Sequence, residues 1–133
     1  MIVLVRATVL TVGLNGKNEV LEELPIRVIV KQFGFEAVSS LKNEKVDGVI
    51  SKWDLDDMAD GWFLKRLRIA KPDIALVALV RAGDRMQEIA ARSLGVRAVL
   101  MDDENDELFR EIVADVLGIR EAVSTKMTSR TKR

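Results

Sequence analysis

The sequence predicts an α/β fold in which a five-stranded parallel sheet lies between two layers of helices. Short β-branched runs alternate with segments whose apolar residues follow helical spacing, which is the order of strand–helix–strand units. Most of these runs are nearly continuous in apolar residues, as strands covered on both faces should be. The length of 133 residues suits one domain with a well-buried interior.

The predicted strands are the five apolar runs. The first strand is placed near residues 8–12, and an alternative register places it at residues 2–5. The other four strands are placed at residues 26–30, 46–51, 74–80 and 96–101.

Five helices are predicted between and after these strands. The first is a short helix at residues 17–24, and the other four are defined by apolar stripes at helical spacing. These stripes are Phe33, Ala37, Val38 and Leu41; Trp62, Phe63, Leu67 and Ala70; Met86, Ile89, Ala90 and Leu94; and Leu108, Phe109, Ile112, Val113, Val116 and Leu117. Pro72 and Gly95 favour helix ends before the fourth and fifth strands, and Asn105 is a suitable N-cap for the last helix.

Composition excludes several kinds of chemistry. The chain has no cysteine and no histidine, which excludes thiol nucleophiles, thiolate metal sites, Ser-His hydrolases and phosphohistidine relays. Residues 120–133 carry five basic side chains against one acidic, a net of +4, so residues 1–119 carry −4. An acidic body gives no nucleic-acid footprint. The apolar start of the chain is interrupted at Arg6, too early for a membrane span, so a cytoplasmic protein without membrane contact is expected.

Four segments follow one another in the order and spacing of a known family, namely residues 36–51 (EAVSSLKNEKVDGVIS), 53–61 (WDLDDMADG), 63–68 and 72–79. They resemble a response-regulator receiver (CheY-like) domain. Residues 36–51 resemble a receiver's second helix and third strand, and residues 53–61 resemble the following loop with one residue inserted. Residues 63–68 and 72–79 are similar to the third helix and fourth strand. The resemblance implies a flavodoxin-like, doubly wound sheet in three α/β/α layers, with residues 1–119 as the receiver-like domain and residues 120–133 as a basic tail or the start of a linker.

The positions that carry phosphotransfer in receivers hold different residues here. The resemblance places Lys52 at the phosphoacceptor aspartate, Gly13 and Leu14 at the acidic pair that holds Mg²⁺, Val80 at the hydroxyl, Asp102 at the lysine and Val99 at the switch aromatic. In the alternative first-strand register the acidic pair falls on Arg6 and Ala7. An ammonium group cannot form an acyl phosphate. The resemblance therefore implies a pseudo-receiver in two-component signalling that is not an enzyme and binds a protein partner without phosphorylation.

Lys52 and Asp102 exchange the aspartate and lysine of a receiver. One hypothesis is that they form an ion pair across adjacent central strands and hold the site in one state, in which case removing one member strands the other charge. The alternative is that both are solvated residues at the edge of the sheet.

Acidic residues follow the third and fifth predicted strands. Asp54, Asp56, Asp57, Asp102 and Asp103 are weak candidates for a Mg²⁺ or Ca²⁺ site, because hard cations prefer such oxygens. Helix caps and solvated loops are the favoured interpretation, and no cofactor or metal is predicted.

A surface for a protein partner or a homodimer is expected on the fourth helix, fifth strand and fifth helix. Its candidate residues are Arg85, Gln87, Glu88, Arg92, Arg110, Glu111 and Asp115. Trp53 is a further candidate, either as an exposed anchor or as a partly buried residue, whereas Trp62 lies on an apolar stripe and is expected in the core. Two other functions remain open, namely the regulatory N-terminal domain of a longer response or transcription regulator, and a flavodoxin-like protein that binds a small ligand or divalent metal.

Overall fold

A computed structural model of the chain describes residues 5–119. Five strands form one parallel sheet in the order β2-β1-β3-β4-β5. The strands are β1 (Ala7–Val12), β2 (Ile26–Lys31), β3 (Gly48–Lys52), β4 (Ala75–Val80) and β5 (Ala98–Met101). This sheet confirms the predicted fold class and the first-strand register near residues 8–12. The alternative at residues 2–5 falls almost wholly outside the described residues, as does the predicted tail at 120–133.

Within residues 5–119, three α-helices and one 3-10 segment connect the strands, and a fourth α-helix follows β5. The helices are α1 (Gly34–Asn43), α2 (Trp62–Ala70), α3 (Arg85–Leu94) and α4 (Asp106–Val116), and the 3-10 segment (Asn18–Glu23) lies between β1 and β2. The predicted N-cap is confirmed, because the Asn105 side chain accepts a hydrogen bond from the Leu108 N–H at 3.0 Å. Gly95 ends α3 with a φ of +85°, as its predicted left-handed role requires. None of the described helices is long and apolar enough to cross a membrane.

Each face of the sheet carries its own layer of packed side chains. On one face α1, α2 and α3 bury Ala37, Phe63, Leu67 and Ala91 against the sheet. On the other face the 3-10 segment and α4 bury Leu21, Phe109 and Val113. The helices are thus distributed as a doubly wound sheet requires.

The two tryptophans lie in different environments. Trp53 is only 4% exposed, which excludes the exposed anchor and favours the alternative of burial, and Trp62 is 51% exposed, although it was predicted in the core. The reason is the start of α2. Because that helix begins at Trp62, its buried side is formed by Phe63, Leu64 and Leu67, and Trp62 lies on the opposite side.

The stripe predicted for α3 has the wrong phase. Met86 and Ile89 are 77% and 53% exposed, while Ala91 is buried and Ala90 and Leu94 pack against the core. The first turn of α3 is fixed by Asp84, whose carboxylate accepts the Gln87 N–H at 3.0 Å. This cap sets the helix so that two large apolar side chains face solvent.

Candidate functional site

The residues predicted for a receiver site do lie at one edge of the sheet, where the strands have their carboxyl ends. Gly13 directly follows β1, Lys52 and Val80 end β3 and β4, and Asp102 directly follows β5. Val99 is a half-buried residue within β5. This is the edge where open α/β sheets place their functional groups.

The predicted ion pair between Lys52 and Asp102 is wrong. β4 pairs with both β3 and β5, so the strands that carry the two residues are not adjacent but two strand spacings apart, about 9–10 Å. Asp102 instead accepts a hydrogen bond from the Ala82 N–H at 3.0 Å. Among residues 5–119, the ion pairs within 4.0 Å do not include Lys52.

This geometry predicts additive effects in a double-mutant cycle. In Lys52→Met, Asp102→Leu and the double variant, we expect a coupling free energy below about 0.5 kcal/mol, as for separated sites. Urea unfolding of the four proteins measures it. A coupling of about 2 kcal/mol or more would show that the two charges meet despite the strand between them.

Apolar packing occupies the two positions that the resemblance assigns to an acidic pair. Leu14 is buried, and Gly13 adopts a φ of +71° in close contact with the loop after β3. A Cβ at Gly13 would lie 2.8 Å from Cδ2 of Leu55, a side chain that is itself buried. Neither of the two positions supplies an oxygen ligand from its side chain.

The loop between β3 and α2 folds back on itself and touches the start of α1. Leu55 and Met58 exchange two backbone hydrogen bonds, at 3.0 and 3.2 Å. Between them, the Asp57 carboxylate accepts the N–H groups of Gly34 and Phe35, each at 2.9 Å. Asp57 thus caps α1 from a different segment of the chain, at the helix end whose dipole favours an anion.

Asp57 therefore has a lowered pKa. Partial burial raises the pKa of this carboxyl, but the backbone N–H groups of Phe35, Gly34 and Asp57 lower it, and their combined effect is the larger. The stabilisation is present above the unfolded-state value, 3.8, and is lost as pH falls through the lower folded-state pKa.

We expect Asp57→Asn to reduce the free energy of unfolding by about 0.5–1 kcal/mol at pH 7, at the low end for a cap because the carboxylate is exposed and solvent-screened. The difference from the parent shrinks as pH falls below 3.8. Urea unfolding across the pH range measures it. Asp56→Asn is the matched control, because Asp56 is exposed on the same loop. An equal loss in both variants would contradict the cap.

A second carboxylate, that of Asp54, joins this loop to the first turn of α3. Its Oδ1 accepts the Asp60 N–H at 2.5 Å, and its Oδ2 accepts Nε2 of Gln87 at 2.8 Å. The other end of the same amide, Oε1 of Gln87, accepts the Arg81 N–H at 2.8 Å. Gln87 was predicted on the outer surface, but it is half-buried and links the loops that follow β3 and β4.

The five acidic residues that were candidates for a cation site do not form one cluster, because their carboxylates make hydrogen bonds in different places or face solvent. Asp54, Asp57 and Asp102 each accept backbone N–H groups in different loops, whereas Asp56 and Asp103 are exposed. In the part of the chain that the structure describes, no three acidic side chains are grouped as metal ligands.

The remaining candidates for a partner surface fall into two groups. Arg85 is exposed at the start of α3 and Glu111 is half-exposed on α4. Others are engaged within the domain. Glu88 and Arg92 pair with each other at 3.0 Å, and Arg110 reaches the Val20 carbonyl at 3.4 Å. Asp115 is exposed and has a further interaction of its own.

Lys17 is a residue of this edge that sequence reasoning missed. Its ammonium group donates to the Glu104 carbonyl at 2.6 Å, lies 3.0 Å from Oδ1 of Asp106 and stands 5.5 Å from the ring centroid of Phe109. It joins the loop after β1 to the start of α4. The partners lie nearly ninety residues away along the chain, so no local pattern reveals the contact.

Comparison with known proteins identifies the fold. No family model and no curated protein matches the sequence. The structure is similar to a CheY-like receiver domain from Methanospirillum hungatei JF-1, with a TM-score of 0.75 and 17% identity over 87% of this chain and 97% of that one. It is also similar to the receiver domain of an HD domain-containing protein from Pseudomonas fluorescens Pf-5 (TM-score 0.77, 21% identity, 88% and 98% covered). A third neighbour is the chemotaxis response regulator CheY4 of Vibrio cholerae (0.72, 19%, 83% and 98%). The chain has the CheY-like, flavodoxin-like fold.

Proposed function

We propose that this chain is a receiver-like regulatory domain that works without phosphorylation, by binding a protein partner. The observation that carries the proposal is Lys52 at the end of β3, where a phosphoacceptor must be a carboxylate. The carboxylate nearest to it in the chain, Asp54, has both oxygens engaged by hydrogen bonds. A resident network therefore occupies the edge where a receiver handles its phosphoryl group.

The loops at this edge are held in place by side chains rather than by phosphate. The Gln87 side chain bridges Asp54 and the Arg81 N–H, and the Asp102 carboxylate accepts the Ala82 N–H. Lys17 joins the loop after β1 to the start of α4. The side chains that make these contacts are part of the protein itself, unlike a phosphoryl group that is added and removed. We therefore infer one constitutive conformation in place of a switch between two conformations.

A partner contact through α3, β5 and α4 remains a prediction. On this surface Arg85 is exposed and Glu111 is half-exposed, which favours an electrostatically specified contact. Gln87 serves the internal network instead.

The proposal is tested by adding beryllium fluoride and Mg²⁺, a mimic of the phosphoryl group, to ¹⁵N-labelled protein. We expect the amide resonances of Trp53, Asp54 and Arg81 to keep their positions. The same titration of a receiver with an intact aspartate is the positive control. Saturable shifts at those three amides would contradict the proposal, because they require an acceptor carboxylate beside a bound cation.

A further inference from the structure

The outer face of α2 and α3 combines apolar exposure with an excess of positive charge. Four large apolar side chains on the two helices face solvent, and all are more than half exposed: Trp62, Ile69, Met86 and Ile89. Ile69 is the most exposed of them, at 83%. Trp62 and Ile69 are seven residues apart and Met86 and Ile89 three apart, so each pair lies on one side of its helix.

The charges of the two helices are strongly biased. α2 carries three basic and no acidic residues, and α3 carries two basic and one acidic, a net of +4 for the two helices. In contrast, α4 on the other face of the sheet carries four acidic residues and one basic, a net of −3. The basic charge is therefore local to the α2–α3 face and is not a property of the whole chain, which is neutral overall.

The two helices are neighbours on the same face of the sheet. Both pack on the same core cluster. At one end the Asp54 carboxylate, in the loop that leads to α2, is bonded to Gln87 of α3. At the other end the Arg68 guanidinium of α2 lies beside Gly95, where a Cβ would be 3.0 Å from its Nη2. α2 connects β3 to β4 and α3 connects β4 to β5, so the two helices lie side by side on one face of the sheet and share its outer surface.

We propose that this α2–α3 face binds an acidic amphipathic helix of a partner protein. The inference rests on the proposed function, since it names the class of partner for a domain that works by protein binding. An amphipathic helix lays its apolar side against exposed apolar side chains of its partner, and the arginines and lysine of α2 and α3 fit acidic residues on the flanks of such a helix.

A helix fits this face better than an anionic membrane does. Asp60 and Asp73 are exposed at the two ends of α2, and Glu88 lies on α3. A broad anionic surface would bring these carboxylates against lipid headgroups of the same sign. A single helix, about 10–12 Å across, is narrow enough to cover the exposed apolar side chains and to leave these carboxylates in water.

The test uses a fluorescent synthetic peptide of about 18 residues, with leucines at i, i+4, i+7 and i+11 and glutamates on its other faces. Its anisotropy is followed as the 133-residue chain is added, at about 50 mM and about 500 mM salt. We expect saturable binding that weakens at high salt. A scrambled peptide of the same composition, and a version with lysine in place of glutamate, should not bind. Failure of the acidic peptide to saturate below about 1 mM protein would overturn the proposal.

Two double variants locate the site. Ile69→Ser with Met86→Ser removes two exposed anchors, and we expect binding to weaken about 10-fold or more while the fold is kept. Arg66→Glu with Arg85→Glu should weaken it by a similar factor at low salt and less at high salt. Lys45→Glu with Arg97→Glu makes the same change in net charge at exposed positions before β3 and β5, and it should bind as the parent does. Equal loss in this control would overturn the assignment to the α2–α3 face.

A second copy of this chain or a membrane on the α2–α3 face would give different results. Concentration-dependent dimers in sedimentation, abolished by the Ile69→Ser/Met86→Ser variant, would overturn the partner helix in favour of a second copy of this chain. Binding to vesicles of phosphatidylserine and phosphatidylcholine, abolished by the same variant, would overturn it in favour of a membrane.

Repeating the peptide titration with acetyl phosphate and Mg²⁺ separates the proposal of the α2–α3 binding surface from the proposal of a function without phosphorylation. Binding that appears only with acetyl phosphate supports the surface and contradicts phosphorylation independence.

Discussion

Replacing Trp53 by alanine should reduce the free energy of unfolding by about 3–5 kcal/mol, the range for a large aromatic side chain removed from a core. The indole is buried in the same core cluster as Leu55, Phe63 and Leu64, on the face of the sheet that carries α1, α2 and α3. It also lies under the ammonium of Lys65, at 5.7 Å from the ring centroid. Its loss would open a cavity where the loop after β3 closes on α2.

The matched control is Trp62→Ala, made on the only other tryptophan of the chain. That ring is half exposed, and its contact within the domain includes the Arg66 guanidinium at 5.3 Å, so we expect a loss of about 1 kcal/mol. Urea unfolding followed by far-UV circular dichroism compares the two. In the single-tryptophan proteins, iodide should quench Trp62 and spare Trp53. The reverse order of stability or of quenching would contradict this placement of the two rings.

Gly61→Ala should reduce the free energy of unfolding by about 2–4 kcal/mol, the sum of a left-handed backbone cost and an overpacking cost. Gly61 adopts a φ of +71°, and a Cβ there would overlap the indole of Trp53. The obstacle is a rigid ring held in the core, which cannot move aside as a flexible side chain would.

Gly83→Ala separates the two costs. Gly83 has a similar φ of +84°, but a Cβ added there would meet no atom within 4 Å, so the variant should show the backbone cost alone, about 1 kcal/mol. The same urea denaturation measures both variants. Equal losses at the two glycines would mean that Trp53 does not press on Gly61.

The elements of the fold could be predicted because their signals are local. Buried strands such as β4 are continuous apolar runs, and Asn105 and Gly95 mark helix ends by the chemistry of their own residue types. Which side of α2 and which side of α3 is buried could not be predicted so well. Each helix has apolar residues on two sides, and the capping contacts that choose between them, such as the one from Asp84 to Gln87, appear only in three dimensions.

The candidate site also combines features that the sequence predicts with contacts that it does not. That Lys52 and Asp102 lie at one edge of the sheet follows from where their strands end, but the intervening position of β4 is a property of the strand order. The contacts that fill the edge, Lys17 with Asp106 and Asp57 with Gly34, join segments distant in the chain. Periodicity and composition carry no information about such pairs.

The end of β3 presents the ammonium of Lys52 where phosphotransfer needs a carboxylate. Incubation with ³²P-labelled acetyl phosphate and Mg²⁺, followed by treatment with base, tests it most directly. We expect no base-labile label on the parent protein or on Asp54→Asn. Label that survives acid, is released by base and disappears in Asp54→Asn would contradict the claim, since it would identify Asp54 as an acceptor beside a bound cation.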